Sequence, residues 1–203
     1  MKREPLFHPR VFDTPVSAES YYKQNLRGQK KYAKETVKKL AGLELKEGRI
    51  LDAGCGYGLV AVELACAFPK AEVVGIDLSG PLLKMARSLA LEAGVSDRVR
   101  FEKQDVQAMP YSDNSFDAVL NIYMFHIVED PKKMLEEIER VLIPNGILYL
   151  RDARRSWLGY FSPIIRTAYT LEEAKELLKG AKLRPCKFKS SRMDWELESW
   201  LGM

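Results

Sequence analysis

The stretch Arg49-Ile50-Leu51-Asp52-Ala53-Gly54-Cys55-Gly56-Tyr57-Gly58 constrains this chain more than any other. An apolar run reaches an acid, three glycines follow at alternate positions, and a helical pattern (Leu59, Val60, Val62, Leu64, Ala65) begins at once and reads as a helix over 57–67. This reads as strand, tight turn and helix, the first βα unit of a nucleotide-binding α/β sheet. Glycine is needed there because the backbone must take positive φ or let a ligand approach with no Cβ in the way.

The same unit recurs downstream. Ala71 to Asp77 is a β-branched apolar run that again closes on an acid, and Ser79 with Pro81 opens a helix that Gly94 stops. Val99 and Phe101 mark a third strand, and Phe116 to Ile122 a fourth. Asp130-Pro131 opens the next helix, Pro144-Asn145-Gly146 ends it, and Ile147 to Leu150 is a fifth strand. Near-continuously apolar strands alternating with helices predict a mostly parallel sheet covered on both faces. Thr170 to Glu173 is a capping box for a short helix stopped by Gly180. The runs Leu183–Lys189 and Met193–Trp200 lie too close together for a crossover, so they form an antiparallel pair. The expected fold is α/β: a Rossmann-like, mostly parallel seven-stranded sheet with helices on both faces and a C-terminal antiparallel hairpin.

The 203 residues suffice for one sizeable core, so a single domain over 1–203 is expected. Its parts are an N-terminal arm and lid helix (1–47, the helix at 17–42), a cofactor-binding core (48–151), and a substrate-side segment with closing strands (152–203). No apolar run approaches the roughly 18 residues of a membrane span. The N-terminus has no signal-peptide pattern. Cys55, Cys66 and Cys186 show neither disulfide nor metal spacing. A cytoplasmic protein with no membrane span and no metal is the expectation. Charge is uneven: the balance is +6 over residues 1–49, −6 over 50–150, +7 over 151–192 and −3 beyond. The basic flanks are either solvated surface or a rim facing an anionic substrate.

In an open α/β sheet, ligands sit outside the carboxyl ends of the strands. Here those ends carry Asp52 with the glycines, Asp77, Asp105 and Asn121. Three acids with no basic partner among them suit a ligand that presents donors or positive charge. A pyrophosphate loop would place its third glycine three residues after the second; here Leu59 holds that position and the glycine comes early, at Gly58. A Walker Gly-Lys-Ser/Thr is absent. Both facts argue against a dinucleotide or nucleoside triphosphate.

Five ordered motifs then carry a resemblance. Asp52-Ala-Gly54-Cys-Gly56-Tyr-Gly58, Asp77, Gln104-Asp105-Val106 and Phe116-Asp117-Ala-Val-Leu-Asn121 look like successive motifs of class I S-adenosylmethionine-dependent methyltransferases. His126-Ile-Val-Glu-Asp130-Pro131 with Arg140-Val-Leu-Ile-Pro144-Asn-Gly146 resembles their small-molecule branch, similar to ubiquinone/menaquinone-biosynthesis enzymes and methyltransferase type 11. The match covers about residues 48–151. One departure is Asn145, where the family usually has glycine; Asn tolerates positive φ.

The resemblance implies S-adenosylmethionine as cofactor. Gly54, Gly56 and Gly58 would lie against it, and Asp52 would hold its amine directly or through water. Asp77, followed by Leu78, would accept the ribose hydroxyls. Asp105 would accept from the adenine amine beside Val106, and Asn121 would face the methionine end. His126 is either a general base or a support for its loop. Tyr21 and Tyr22 form a lid or simply pack their helix on the sheet. Arg154, Arg155, Trp157, Tyr160 and Phe161 suit an anionic or aromatic small-molecule acceptor, with RNA or protein as the alternatives. A non-catalytic cofactor-binding module acting through a partner is the other reading. Many methyl transfers need little acid–base help, because the sulfonium is already activated and alignment supplies much of the rate.

Overall fold

The computed structural model describes Arg3, residues 12–43, Leu45, residues 47–160 and residues 163–199. Most of the N-terminal arm, Phe161 and Trp200 lie outside the described residues. The elements in order are α1 (Pro15–Gly42), β1 (Glu47–Ala53), α2 (Leu59–Ala67), β2 (Lys70–Asp77), α3 (Gly80–Glu92), β3 (Val99–Lys103) and β4 (Phe116–Ile122). They continue with α4 (Pro131–Val141), β5 (Leu142–Ala153), α5 (Pro163–Thr167), α6 (Leu171–Gly180), β6 (Cys186–Ser190) and β7 (Asp194–Ser199).

The seven strands form one sheet in the order β3-β2-β1-β4-β5-β7-β6. β1 to β5 pair in parallel, and β7 runs antiparallel to both β5 and β6. The order reverses between β1 and β4, which puts the ligand crevice above the ends of those two strands.

Burial follows the two-residue period of the strands. Ile50, Val73, Ala118, Leu120 and Tyr149 face one layer, where α2, α3 and the end of α1 pack. Leu51, Val74, Val119, Leu148 and Trp195 face the other, where α4 and α6 pack. Side-chain caps fix the helix starts. Thr14, Ser79, Asp130 and Thr170 each accept an N–H of the first turn, and Pro stands in the first turn of α1, α3 and α4.

Three helix boundaries differ from the sequence reading, and β6 begins at Cys186 rather than Leu183. α1 begins at Pro15, two residues before 17, with Thr14 as its cap. α2 begins at Leu59, not at residue 57, because Gly58 is left-handed (φ +79°) and cannot continue a helix from Tyr57. α4 stops at Val141 and passes directly into β5, so Pro144-Asn145-Gly146 lies within the strand. There the pairing shifts from Phe116–Leu142 to Ala118–Ile147. A bulge accommodates a proline that cannot donate to the ladder. Arg184 Nη1 satisfies the bulge by donating to the carbonyls of Ile143 (3.0 Å) and Gly146 (2.8 Å).

Gly54 joins β1 to the turn with φ +87°, and a Cβ there would lie 2.6 Å from Met124 Cε. We expect Gly54→Ala to destabilise the fold by about 2–4 kcal/mol, combining left-handed strain with overpacking. Urea unfolding checks this; an unchanged midpoint would contradict it.

Candidate functional site

The β1–α2 turn and the ends of β1, β2 and β4 converge. Asp77, ending β2, accepts the Gly56 N–H at 2.9 Å on Oδ2 and the Ser79 N–H at 2.8 Å on Oδ1. Each oxygen therefore retains acceptor capacity. Burial pushes its carboxyl up, and those two amides pull the other way. Leu78 beside it is exposed. Asp52 on β1 is 2% exposed. Burial and then the Asp77 charge push its carboxyl up to about 7, against the pull of the Ala61 amide in the first turn of α2. Asn121 on β4 is fully buried and donates through Nδ2 to the Ala53 carbonyl at 2.7 Å. That bond ties the ends of β4 and β1 together and orients the amide.

Asp52 Oδ2, Asn121 Oδ1 and Tyr57 Oη are buried without a hydrogen-bond partner. Buried polar atoms are normally paired, so three orphans around one turn need an explanation. Gly56 (φ +55°) has nothing within 4 Å of where its Cβ would stand. Open space beside a bare backbone, with two orphaned acceptors on β1 and β4, is a cradle for a ligand with donors. Gly58 sits deeper, packed under Ala86 and Phe101 at the start of α2.

Asp105 and Val106 lie one strand further out. The Gln104 N–H donates to the Asp77 carbonyl at 3.2 Å, bringing the end of β3 alongside β2. Asp105 Oδ1 accepts from the Gln107 backbone and side chain, while Val106 is buried in the α4-side core.

α1 roofs the turn. Tyr21 and Tyr22 meet Tyr57 edge-on, with ring centroids 6.2 and 4.8 Å apart, and Phe12 packs on Tyr21 at 4.2 Å. Ser79 Oγ donates to the Phe12 carbonyl at 2.6 Å. Burial and the Asp77 charge push the Tyr21 phenol up, against the hydrogen bond its oxygen accepts from Gln29 Nε2 at 2.8 Å. Further along α1, Glu35 pairs with Arg151 of β5 at 2.7 Å, and the Tyr32 and Tyr123 rings meet at a tilt of 40° with centroids 4.6 Å apart. Arg151 also binds Asp194 of β7 at 2.6 Å.

His126 lies on a 3-10 turn after β4 (Phe125–Ile127) and is 4% exposed. Its backbone N–H donates to Asp152 Oδ2 at 2.6 Å, and its Nδ1 meets Asp152 Oδ1 at 2.6 Å. An ionised carboxylate only accepts, so Nδ1 carries the proton and Nε2 is the ring atom left to take one. Asp152 is 1% exposed and also accepts the Ala153 N–H. Sequence reasoning missed Asp152, yet its signal was the one that found Asp52 and Asp77: an acid closing an apolar strand.

The remaining sequence candidates separate. Arg155 is 9% exposed and is spent inside the fold, on the Ala168 carbonyl (3.1 Å) and Glu173 (2.5 Å). Arg154 donates to the Ser191 carbonyl at 3.0 Å and, with Trp157, borders a cavity at the β6–β7 turn. Trp157 and Tyr160 are 65% and 70% exposed.

The chain is similar to known methyltransferases. The methyltransferase domain family matches residues 51–150. The demethylmenaquinone methyltransferase of Thermus thermophilus is 38% identical over 127 residues, covering 63% of this chain and 57% of that protein. The ubiquinone biosynthesis O-methyltransferase of Paracidovorax citrulli is 32% identical over 158 residues, covering 74% of this chain and 65% of that protein. The chain spans about half the length of the curated relatives it matches. A chain from Methanococcus maripaludis, proposed to be an S-adenosyl-L-methionine-dependent methyltransferase, superposes with a TM-score of 0.77 at 17% identity. That match covers 100% of this chain and 98% of the other, and it establishes the fold. Among the described residues no helix is long and apolar enough to cross a membrane, and no three His, Cys, Asp or Glu residues are grouped to hold a metal ion.

Proposed function

On the premise that the chain belongs to the class I S-adenosylmethionine-dependent methyltransferases, in their small-molecule branch, we propose that it methylates a small-molecule acceptor that is anionic or aromatic. The observation that carries this is the pair of orphaned acceptors, Asp52 Oδ2 and Asn121 Oδ1, beside the open Gly56 backbone. Both suit an ammonium group, and Asp77 offers two oxygens to a cis-diol. When bound, S-adenosylmethionine supplies a methyl group on a sulfonium. Asp52 and Asn121 would hold its amino-acid end, Asp77 its ribose, and Asp105 with Val106 its adenine. Tyr21 and Tyr22 would close over it and exclude water. His126 Nε2 would take the acceptor's proton while Asp152 holds the ring and stabilises the imidazolium. We take residues 1–203 as a single methyltransferase domain.

Calorimetry with S-adenosylhomocysteine tests the premise, and turnover on an acceptor panel tests the activity. Absence of binding at millimolar ligand would sink both. Binding without turnover would favour a cofactor-binding module instead. Asp77→Ala is expected to weaken binding by roughly 1.5–3 kcal/mol, the worth of charge-assisted hydrogen bonds. An unchanged dissociation constant in a folded variant would refute the ribose role.

A further inference from the structure

The cavity at the β6–β7 turn is not accounted for by the cofactor or by the His126–Asp152 pair. It encloses about 400 Å³ and is lined by Arg154, Ser156, Trp157, Arg192 and Met193. It sits on the ligand side of the sheet, because Arg154 follows the end of β5 and residues 191–193 precede the start of β7. Arg154 stands two residues beyond Asp152, so the chain rises only about 7 Å between the base pair and the cavity wall.

Its chemistry is specific. Among the described residues no carboxylate pairs with Arg154 or Arg192, and Arg154 donates to the Ser191 carbonyl. The acid at this turn, Asp194, is already engaged by Arg151, Tyr123 and Ser191. Ser156 Oγ is buried in the cavity wall with no partner. A buried hydroxyl is normally satisfied, so an orphan on a residue that lines the cavity together with two arginines points to an acceptor atom. Trp157 and Met193 are 65% and 49% exposed and give the same cavity an apolar, polarisable side.

We infer that this cavity is the acceptor's anion subsite: it takes the oxyanion of an amphipathic small molecule, with Arg154, Arg192 and Ser156 on the charge and Trp157 and Met193 on the apolar body. The inference rests on the methyltransferase reading, because it makes the acceptor of that reaction an anion. Two guanidinium groups and a hydroxyl suit a carboxylate or a phosphate. RNA would need a row of phosphate contacts rather than one walled cavity.

The test is calorimetry on the full chain with naphthoate, naphthyl phosphate and neutral naphthamide as probes. Naphthoate or naphthyl phosphate is expected to bind at least tenfold tighter than naphthamide, and whichever is tighter identifies the oxyanion. Arg192→Gln, in an exposed turn, should weaken that anion at least tenfold and leave naphthamide unchanged, and Ser156→Ala should weaken it in the same sense. Added salt should weaken the anions alone. Equal binding of anion and amide, no saturation by either anion at millimolar concentration, or indifference to Arg192→Gln would overturn the subsite. S-adenosylhomocysteine is titrated into the same samples. If it binds normally to Arg192→Gln while the anion is lost, both readings stand. If it binds and no anion does, the subsite alone fails; if it does not bind wild-type protein, the methyltransferase reading fails independently.

Discussion

His126→Ala is expected to lower kcat by roughly 10²- to 10⁴-fold, the range for loss of a positioned general base. The dissociation constant for S-adenosylhomocysteine should change little, because the side chain of His126 is bonded to Asp152 of β5 and not to the glycine turn, Asp77 or Asn121. The geometry behind this is a carboxylate that holds two atoms of one residue. Asp152 takes the His126 backbone N–H and Nδ1, both at 2.6 Å, in a setting where neither residue is more than 4% exposed. The ring therefore has one orientation and one tautomer. Asp152→Asn keeps the shape but puts an amide donor where an acceptor is needed, so it should also slow turnover. A purely structural role predicts another pattern: both variants would lose stability and cofactor affinity together, with residual kcat near wild type. Unchanged kcat in folded His126→Ala would remove the general-base role, leaving alignment of acceptor and methyl group to supply the rate.

The second large effect is expected in cofactor binding as pH changes. Burial and Asp77 push the Asp52 carboxyl from its ordinary 3.8 up to about 7. In the free protein the neutral form is thus favoured below about pH 7. A carboxyl raised on folding contributes stability that is fully present below its unfolded value and lost as pH rises through the folded one. A cationic ligand needs the ionised form, so binding should release close to one proton near pH 6. Apparent affinity should tighten about tenfold per unit from pH 5 to 7 and level off above roughly pH 8. Asp77 is also raised by burial and adds to the slope in the same sense. The Cys55 thiol is pushed up by burial and by both acids, so it stays neutral across this window. Calorimetry in two buffers of different ionisation enthalpy measures the released proton, and Asp52→Asn should largely flatten the profile. A dissociation constant that does not vary between pH 5.5 and 8 would contradict the burial argument.

The sheet was legible because each strand announced itself locally: an apolar run, an acid or turn, then a helix cap. The two-sided burial of Val73 and Val74, or of Leu148 and Tyr149, is written in runs without polar interruption. The α4–β5 boundary was not legible in that way. Pro144-Asn145-Gly146 has the composition of a helix stop, but its conformation is decided by pairing with β4 and by Arg184, whose guanidinium arrives from some forty residues away. The site divides along the same line. Asp52, Asp77 and the glycines stand at strand ends and could be placed by counting. Arg154 and Arg155 are adjacent and chemically identical in sequence, and only tertiary contacts send one to a cavity and the other to Glu173. Asp152 was readable but passed over, since its partner lies 26 residues away on a turn with no periodic pattern.

Arg151 bears on how the roof moves. One guanidinium holds Glu35 of α1, Asp194 and Glu196 of β7, and lies 5.0 Å from the Tyr32 ring. The C-terminal half of α1 is therefore riveted to the sheet, while Phe12, Tyr21 and Tyr22 are held over the turn by ring contacts and a bond from Ser79. Such a helix cannot swing away as a rigid beam without breaking the Arg151 cluster. If the first turns of α1 lid the cradle, opening them breaks only those ring contacts and the Ser79 bond and leaves the Arg151 cluster intact. Such an opening would be thermodynamically separate from global unfolding.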